Sequence, residues 1–127
     1  MKTILIDAIH AFIIKNEGIF QEMYILLEQY PNKKIILTGA TVEQMEKFGL
    51  NDMPYEVFSL HNNPKKTDPK YFDIMLKQFH LNAKDAIYFE HNLNAIKSAE
   101  THGISTFYYD SEKKDLITLK KFIDENL

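Results

Sequence analysis

Five short apolar runs alternate with amphipathic stretches along this chain of 127 residues, and that alternation constrains the fold more than any other feature. Each run has the length of a buried strand, and the stretches between the runs repeat their apolar residues at helical spacing. Strands that alternate with helices predict a parallel sheet with helices on both faces. The predicted fold class is therefore α/β: a doubly wound, Rossmann-like three-layer sandwich around a central parallel five-stranded sheet.

Turn and capping residues set the expected boundaries of these elements. The predicted strands cover Thr3 to Asp7, Lys34 to Thr38, Tyr55 to Leu60, Ala86 to Glu90 and Ile104 to Tyr109. The predicted helices run from about Glu17 to Tyr30, from Thr41 to near Gly49, from Asp68 onward, from Asn92 to His102, and over a final stretch from Leu116 to Leu127. No linker or repeat interrupts the pattern, so residues 1–127 are expected to form one domain.

Composition excludes several classes of function. The formal net charge of -3 argues against general nucleic-acid binding, which needs a basic surface. The chain has no cysteine, so neither a disulfide scaffold nor a thiolate site can form. No apolar run reaches the roughly 20 residues of a membrane span, and the first residues lack a signal-peptide pattern. Together these features predict a cytoplasmic protein with no nucleic-acid or membrane partner.

Four polar residues lie at or just after the predicted strand ends, namely Asp7, Thr38, Lys66 and Glu90. The carboxyl ends of parallel strands share one edge of the sheet, where open α/β folds bind their ligands. Asp7 can attack phosphorus there, while Thr38 and Lys66 can bind the phosphoryl oxygens. Asp7 and Glu90 together can hold a hard divalent cation such as Mg²⁺. The four residues therefore predict a phosphate site.

The order of these residues resembles the four motifs of the haloacid dehalogenase-like (HAD) hydrolases. Asp7 matches the nucleophile of that family, and Thr38 matches its second-motif Thr or Ser. Lys66, before Thr67-Asp68-Pro69, matches the third motif, and Glu90 matches the acidic metal ligand of the fourth. The resemblance implies a Mg²⁺-dependent phosphohydrolase that forms an aspartyl-phosphate at Asp7. Its substrate would be a phosphorylated small molecule or macromolecule.

The first motif departs from the family pattern in a way that affects the expected chemistry. The family reads Asp-x-Asp-x-Thr, whereas this chain reads Asp7-Ala8-Ile9-His10-Ala11. The second Asp of the family acts as general acid and base, which Ile9 cannot do. General acid–base catalysis is worth about 10²–10⁴-fold, so turnover should be impaired unless the leaving group needs no proton. The alternative is a catalytically inactive binding or regulatory protein that keeps a phosphate or metal pocket.

The fourth motif also departs, because Glu90-His91 stands where the family has Asp-Asp. As a metal ligand, His91 would shift the preference from Mg²⁺ toward Mn²⁺ or Zn²⁺, since imidazole suits softer cations. His10 occupies the matching position after the first strand, so a metal site of Asp7, His10, Glu90 and His91 is a further hypothesis. The competing interpretation is that both histidines are ordinary surface residues.

The resemblance also implies an open site, because the stretch between Asp7 and Thr38 is too short for the cap domain that many HAD hydrolases carry. Capless members tend to act on macromolecules or to close the site by forming a homo-oligomer. The apolar segment Phe12-Ile13-Ile14 could be a flap, a dimer contact or part of the core. A receiver-type phosphoacceptor domain is a third alternative, although such domains carry an acidic pair after the first strand and this chain has a single acid.

Overall fold

A computed structural model describes residues 1–127 and contains seven strands and five α-helices. The strands are β1 Thr3–Asp7, β2 Ile13–Ile14, β3 Gly18–Ile19, β4 Lys34–Thr38, β5 Glu56–Ser59, β6 Ala86–Glu90 and β7 Ser105–Tyr108. The helices are α1 Gln21–Leu27, α2 Val42–Lys47, α3 Pro69–Gln78, α4 Leu93–Glu100 and α5 Leu116–Asn126. None of these helices combines the length and the apolar character that a membrane crossing requires.

The central sheet has the strand order β5-β4-β1-β6-β7, and all of its neighbouring strands pair in parallel. Counted along the chain, its strands are therefore arranged 3-2-1-4-5. That is the Rossmann-like order, whereas receiver domains have the order 2-1-3-4-5. The doubly wound parallel sheet is confirmed, and the strand order argues against a receiver domain. The order reverses between β1 and β6, which is where such sheets bind ligands.

Two apolar layers cover the faces of the sheet, because successive side chains of a strand point to opposite sides. Ile4 and Ile6 of β1 pack in a cluster that includes Leu27 of α1 and Leu119 of α5. Leu5 packs in a second cluster whose members include Tyr71, Phe72 and Met75 of α3. Helices therefore cover both faces, as the three-layer prediction requires.

Local capping explains where two helices begin. The Asp68 side chain accepts a hydrogen bond from the Lys70 N–H at 3.0 Å, and Pro69 takes the first helical position of α3. Thr41 caps α2 through a reciprocal pair of hydrogen bonds with Gln44, at 3.2 Å and 2.9 Å. Both starts agree with the sequence-based expectation.

The first helix is shorter than predicted. It covers Gln21–Leu27 instead of about Glu17 to Tyr30, because residues 13–19 form an antiparallel hairpin. Gly18, at φ +92°, closes the turn of that hairpin, and Ile19 pairs with Ile13 instead of entering the helix. Phe12 and Ile13 are buried in the main core, so of the three alternatives for this segment the structure supports core packing.

Candidate active site

The site forms where β1 and β6 end side by side at the carboxyl edge of the sheet. Asp7 is the last residue of β1 and Glu90 is the last residue of β6. The two side chains are 1% and 0% exposed. Two carboxylates this deeply buried need partners that compensate for the lost hydration.

Lys66 supplies the first of these partners. It lies in the loop between β5 and α3, and its Nζ donates to Asp7 Oδ1 at 2.8 Å and to Glu90 Oε1 at 2.7 Å. A third hydrogen bond, at 3.3 Å, reaches the backbone oxygen of Leu37 in β4. The ammonium therefore joins three neighbouring strands. It reaches Asp7 from a distant part of the sequence, as the motif order led us to expect.

His91 supplies the second partner. Its backbone N–H donates to Asp7 Oδ2 at 3.1 Å, and its Nδ1 bonds the same oxygen. The same Nδ1 lies 3.2 Å from Glu90 Oε2, and the backbone N–H of Asn92 donates to that oxygen at 3.1 Å. The turn from β6 into α4 thus holds both carboxylates. His91 takes part in the buried network and is not an isolated surface histidine.

The network gives its members distinct pKa values. Burial raises the pKa of Asp7, and the charge of Glu90 raises it further. Burial acts in the same direction on Glu90, but the Lys66 charge and several hydrogen bonds outweigh it, so the pKa of Glu90 lies well below its usual range. Hydrogen bonds to Asp7 and Glu90 raise the pKa of His91 to about 10. At neutral pH the cationic side chains of Lys66 and His91 therefore face the acidic side chains of Asp7 and Glu90.

The same two acids also act on Lys66. Desolvation lowers the pKa of its ammonium, but the charges of Asp7 and Glu90 more than offset this effect. The pKa of Lys66 consequently lies above its usual value, and the side chain stays charged at every pH at which the protein is expected to work. Lys66 is therefore a permanent positive charge in the site and not a proton donor.

Thr38 is oriented by its own turn. Its Oγ1 accepts the backbone N–H of Ala40 at 3.1 Å, which leaves the hydroxyl hydrogen free to donate to a ligand. The structure gives no hydrogen bond between Thr38 and Asp7. Both residues border one open cavity of about 300 Å³, which Lys66, His91 and Ile9 also line. A phosphoryl group in this cavity would therefore meet the hydroxyl, the ammonium and the carboxylate together.

Two tyrosines contribute to the site in ways that the sequence analysis missed. The Tyr88 hydroxyl donates to Glu90 Oε1, and Tyr88 itself is fully buried. The Tyr71 hydroxyl lies 2.8 Å from the backbone oxygen of Thr38 and 3.1 Å from that of Phe58, so it ties α3 to the ends of β4 and β5. The contact between Tyr88 and Glu90 could have been predicted from the sequence, because residues i and i+2 of a strand lie on the same face.

Asp7, Glu90 and His91 could together hold a divalent cation. Each offers one ligand atom, and these atoms lie within 4.8 Å of one another. Two carboxylates suit Mg²⁺, and the imidazole would move the preference toward Mn²⁺ or Zn²⁺. His10 is not part of this cluster: its ring packs edge-on against His91 with 5.2 Å between the centroids. The hypothesis of a four-residue metal site that includes His10 therefore finds no support in the geometry.

Comparison with known proteins identifies the architecture. No protein-family model and no curated protein matches the sequence. Among solved structures, the core domain of a candidate phosphoglycolate phosphatase from Streptococcus pneumoniae is similar with a TM-score of 0.62 and 13% identity, over 97% of this chain and 95% of that one. A HAD-superfamily hydrolase of subfamily IA from Geobacter sulfurreducens gives a TM-score of 0.58 and 11% identity, over 94% and 96%. The chain has a HAD-like fold.

A longer solved structure shares the same fold over part of its length. A candidate phosphoglycolate phosphatase from Lactobacillus plantarum matches with a TM-score of 0.65 and 15% identity, over 87% of this chain but only 61% of that one. In the present chain, the hairpin and α1 alone separate β1 from β4, so the HAD-like sheet carries no separate cap. The expected capless HAD-like architecture is thus confirmed.

Proposed function

We propose that the protein is a HAD-type phosphohydrolase in which Asp7 is the nucleophile. The observation that supports this best is the convergence of Asp7, Lys66, Glu90 and His91 at the point where the strand order reverses. The four residues come from three separate segments of the chain. A purely structural ion pair would not require the adjoining cavity, which Asp7 borders despite its burial.

In the proposed reaction a carboxylate oxygen of Asp7 attacks phosphorus and forms an aspartyl-phosphate, which water then hydrolyses. The ammonium of Lys66 and the hydroxyl of Thr38 bind the phosphoryl oxygens as negative charge develops on them. Lys66 also keeps Glu90 ionised next to Asp7. The backbone N–H of His91 orients the Asp7 carboxylate.

A divalent cation fits this arrangement when it displaces the proton of His91, because Asp7, Glu90 and His91 then present two carboxylates and a neutral imidazole at one point. When bound, Mg²⁺ would neutralise charge on the phosphoryl group. The proposed substrate is a phosphorylated small molecule or macromolecule that enters from the open side of the site. A homo-oligomer that covers this side belongs to the same proposal, as does a cytoplasmic location.

Ile9 limits which substrates this site can process. It borders the cavity two residues after Asp7, where the family pattern has a second acid, and it cannot give a proton to a leaving group. The loss of general acid–base catalysis is worth about 10²–10⁴-fold for substrates that need it. Turnover should therefore favour phosphoryl groups on leaving groups that depart without a proton.

The test is hydrolysis of p-nitrophenyl phosphate with Mg²⁺, Mn²⁺ or a chelator. We expect slow, metal-dependent turnover that Asp7→Asn abolishes. Asp52→Asn makes the same chemical change at an exposed position and serves as the control. Turnover that survives in Asp7→Asn would refute the nucleophile assignment, and no turnover with any metal would refute the proposed activity.

One observation favours the alternative of a non-catalytic binding or regulatory protein. Every carboxylate oxygen of Asp7 and Glu90 already has a protein partner, drawn from Lys66, His91, Tyr88 and the Asn92 backbone. A network that is satisfied without ligand can serve to stabilise the fold alone. If p-nitrophenyl phosphate is not turned over, binding of inorganic phosphate measured by calorimetry would separate this alternative from a purely structural role.

A further inference from the structure

A second cavity adjoins the first on the side of the hairpin. Its volume is about 520 Å³, and it shares His10 and His91 with the cavity that contains Asp7. The two histidine rings pack edge-on at 5.2 Å, so they form the border between the two spaces. A ligand whose phosphoryl group lies in the first cavity can therefore extend into the second.

The charged residues of the second cavity are mainly cationic. Lys15 and Lys114 line it together with a single carboxylate, that of Glu112. Lys15 lies in the turn of the hairpin that follows β1, and Lys114 lies in the loop that follows β7. Both lysines thus come from loops at the carboxyl edge of the sheet, the same edge that carries Asp7 and Glu90. The second cavity is suited to an anion.

The loop that carries Lys114 is held by its own hydrogen bonds. The Asp110 side chain accepts the backbone N–H groups of Glu112 and Lys113, at 2.9 Å and 3.2 Å, and the Lys114 N–H donates to the Asp110 backbone oxygen at 3.0 Å. Lys114 itself has a left-handed backbone, with φ 49°. The loop therefore fixes the backbone of Lys114 beside the cavity before any ligand arrives, and the Lys114 side chain is exposed.

The cationic cavity and the replacement of the family's second acid by Ile9 point to the same kind of substrate. With Ile9 in the first motif, no carboxylic acid protonates the leaving group, which favours groups that depart as anions. Lysines next to the departing group would stabilise that anion, which replaces protonation by charge compensation. Alkyl phosphates gain little from this, because an alkoxide is too basic to leave without a proton.

We infer that the second cavity binds the leaving group and that the substrates are phosphoric anhydrides, either acyl phosphates or phosphoanhydrides. The inference rests on the proposed function. In the reaction, a bond forms between an Asp7 carboxylate oxygen and phosphorus while the P–O bond of the anhydride breaks. The electron pair of that bond stays on the departing oxygen, as a carboxylate or phosphate anion beside Lys15 and Lys114. Water then attacks the aspartyl-phosphate, restores the Asp7 carboxylate, and releases phosphate and a proton to solvent.

The experiment compares kcat/KM for acetyl phosphate, pyrophosphate, p-nitrophenyl phosphate and glycerol 3-phosphate, measured as phosphate release. Both anhydrides should exceed the alkyl ester by at least about 10²-fold, the lower end of the contribution of general acid catalysis. A preference for acetyl phosphate over pyrophosphate would identify acyl phosphates as the source of the anion, and the reverse would identify phosphoanhydrides. Equal turnover of the alkyl ester would overturn the inference.

Variants of the second cavity test the lysines directly. Lys15→Gln/Lys114→Gln should lower the ratio of anhydride to aryl phosphate kcat/KM about tenfold, equivalent to about 1.4 kcal/mol in the transition state. Glu112→Gln should change the ratio in the opposite direction. The control Lys84→Gln/Lys121→Gln makes the same change of charge at exposed positions outside both cavities. An unchanged ratio in the cavity variant would overturn the inference while leaving the proposed function intact.

Failure of the proposed function gives a different result. If Asp7→Asn does not alter p-nitrophenyl phosphate turnover, or if there is no turnover, the nucleophile assignment fails whatever the lysines do. Calorimetry with methylenediphosphonate, a non-hydrolysable anhydride analogue, then decides whether the second cavity binds an anion. We expect about tenfold weaker binding in Lys15→Gln/Lys114→Gln than in the control Lys84→Gln/Lys121→Gln, which lies outside the cavities, and equal binding in the two variants would refute an anion site in the second cavity.

Discussion

Replacing Lys66 with methionine tests the electrostatic balance of the site. The ammonium bridges Asp7 and Glu90 at 2.8 Å and 2.7 Å, and both carboxylates are almost fully buried. Exposed ion pairs contribute about 0–1 kcal/mol, whereas removing one partner of a buried pair costs about 3–5 kcal/mol. Because both acids are buried, this network behaves as a buried ion pair. We therefore expect Lys66→Met to lower the free energy of unfolding by about 3–5 kcal/mol at pH 7.5.

The loss of unfolding free energy in Lys66→Met should depend on pH. In the native chain the pKa of Glu90 is lowered, so its contribution to stability is present above its unfolded pKa and is lost as pH falls through the folded value. Without the Lys66 charge the folded pKa of Glu90 rises, and at pH 5 a proton can replace part of the missing compensation. The difference between native chain and variant should thus be smaller at pH 5 than at pH 7.5.

Urea unfolding monitored by far-UV circular dichroism provides the assay, since the chain has no tryptophan. Lys84→Met is the matched control at an exposed position, and surface changes of this kind stay within about 0.5 kcal/mol. The double variant Lys66→Met/Glu90→Gln should recover part of the lost stability, because it removes one of the uncompensated charges. A loss below about 1 kcal/mol at pH 7.5, or a loss that is the same at both pH values, would refute the reasoning.

Three further predictions concern single positions. Ile9→Asp places a carboxyl group at the border of the cavity and should raise turnover of glycerol 3-phosphate at least about tenfold, which is part of the 10²–10⁴-fold available from acid–base catalysis. Phosphate release measures this turnover, and no gain would contradict the role given to position 9. The pKa of His91 is raised from 6.5 to about 10, so the stability that His91 adds to the fold is complete below about pH 6.5 and is lost as pH rises through 10. Urea unfolding with chelator should show this decline in the native chain, and His91→Gln should give a flatter pH profile. Asp68→Ala removes the N-cap of α3 and should cost about 0.5–2 kcal/mol in the same unfolding assay, and an unchanged stability would show that the cap is dispensable.

The central strands were predictable because their signals are local. The predicted bounds of β1, β4 and β6 agree with the structure residue for residue, since each is a continuous apolar run that ends in a polar residue. The start of α3 was equally clear from Asp68-Pro69. The bounds of β5 and β7 were too wide at both ends, because pairing with one neighbouring strand stops before the apolar run does.

The hairpin was not predictable from periodicity. Ile19 and Phe20 continue the apolar spacing of α1, yet Ile19 belongs to β3 because its partner Ile13 lies on the other strand. That pairing is a tertiary feature of the segment after Asp7. Similarly, nothing in the sequence required the Tyr71 hydroxyl to meet the backbone oxygens of Thr38 and Phe58.

The sequence by itself determined the elements and the residues at their ends, because apolar periodicity, N-caps and strand ends act within a few neighbouring residues. It thereby indicated Asp7, Thr38, Lys66 and Glu90, and the fold class that brings strand ends to one edge. The tertiary structure alone decided the strand order, the bridge from Lys66 to two acids, and the shift of the pKa of His91. Those properties depend on burial and on charges from residues far apart in the chain, which meet only when the sheet has formed.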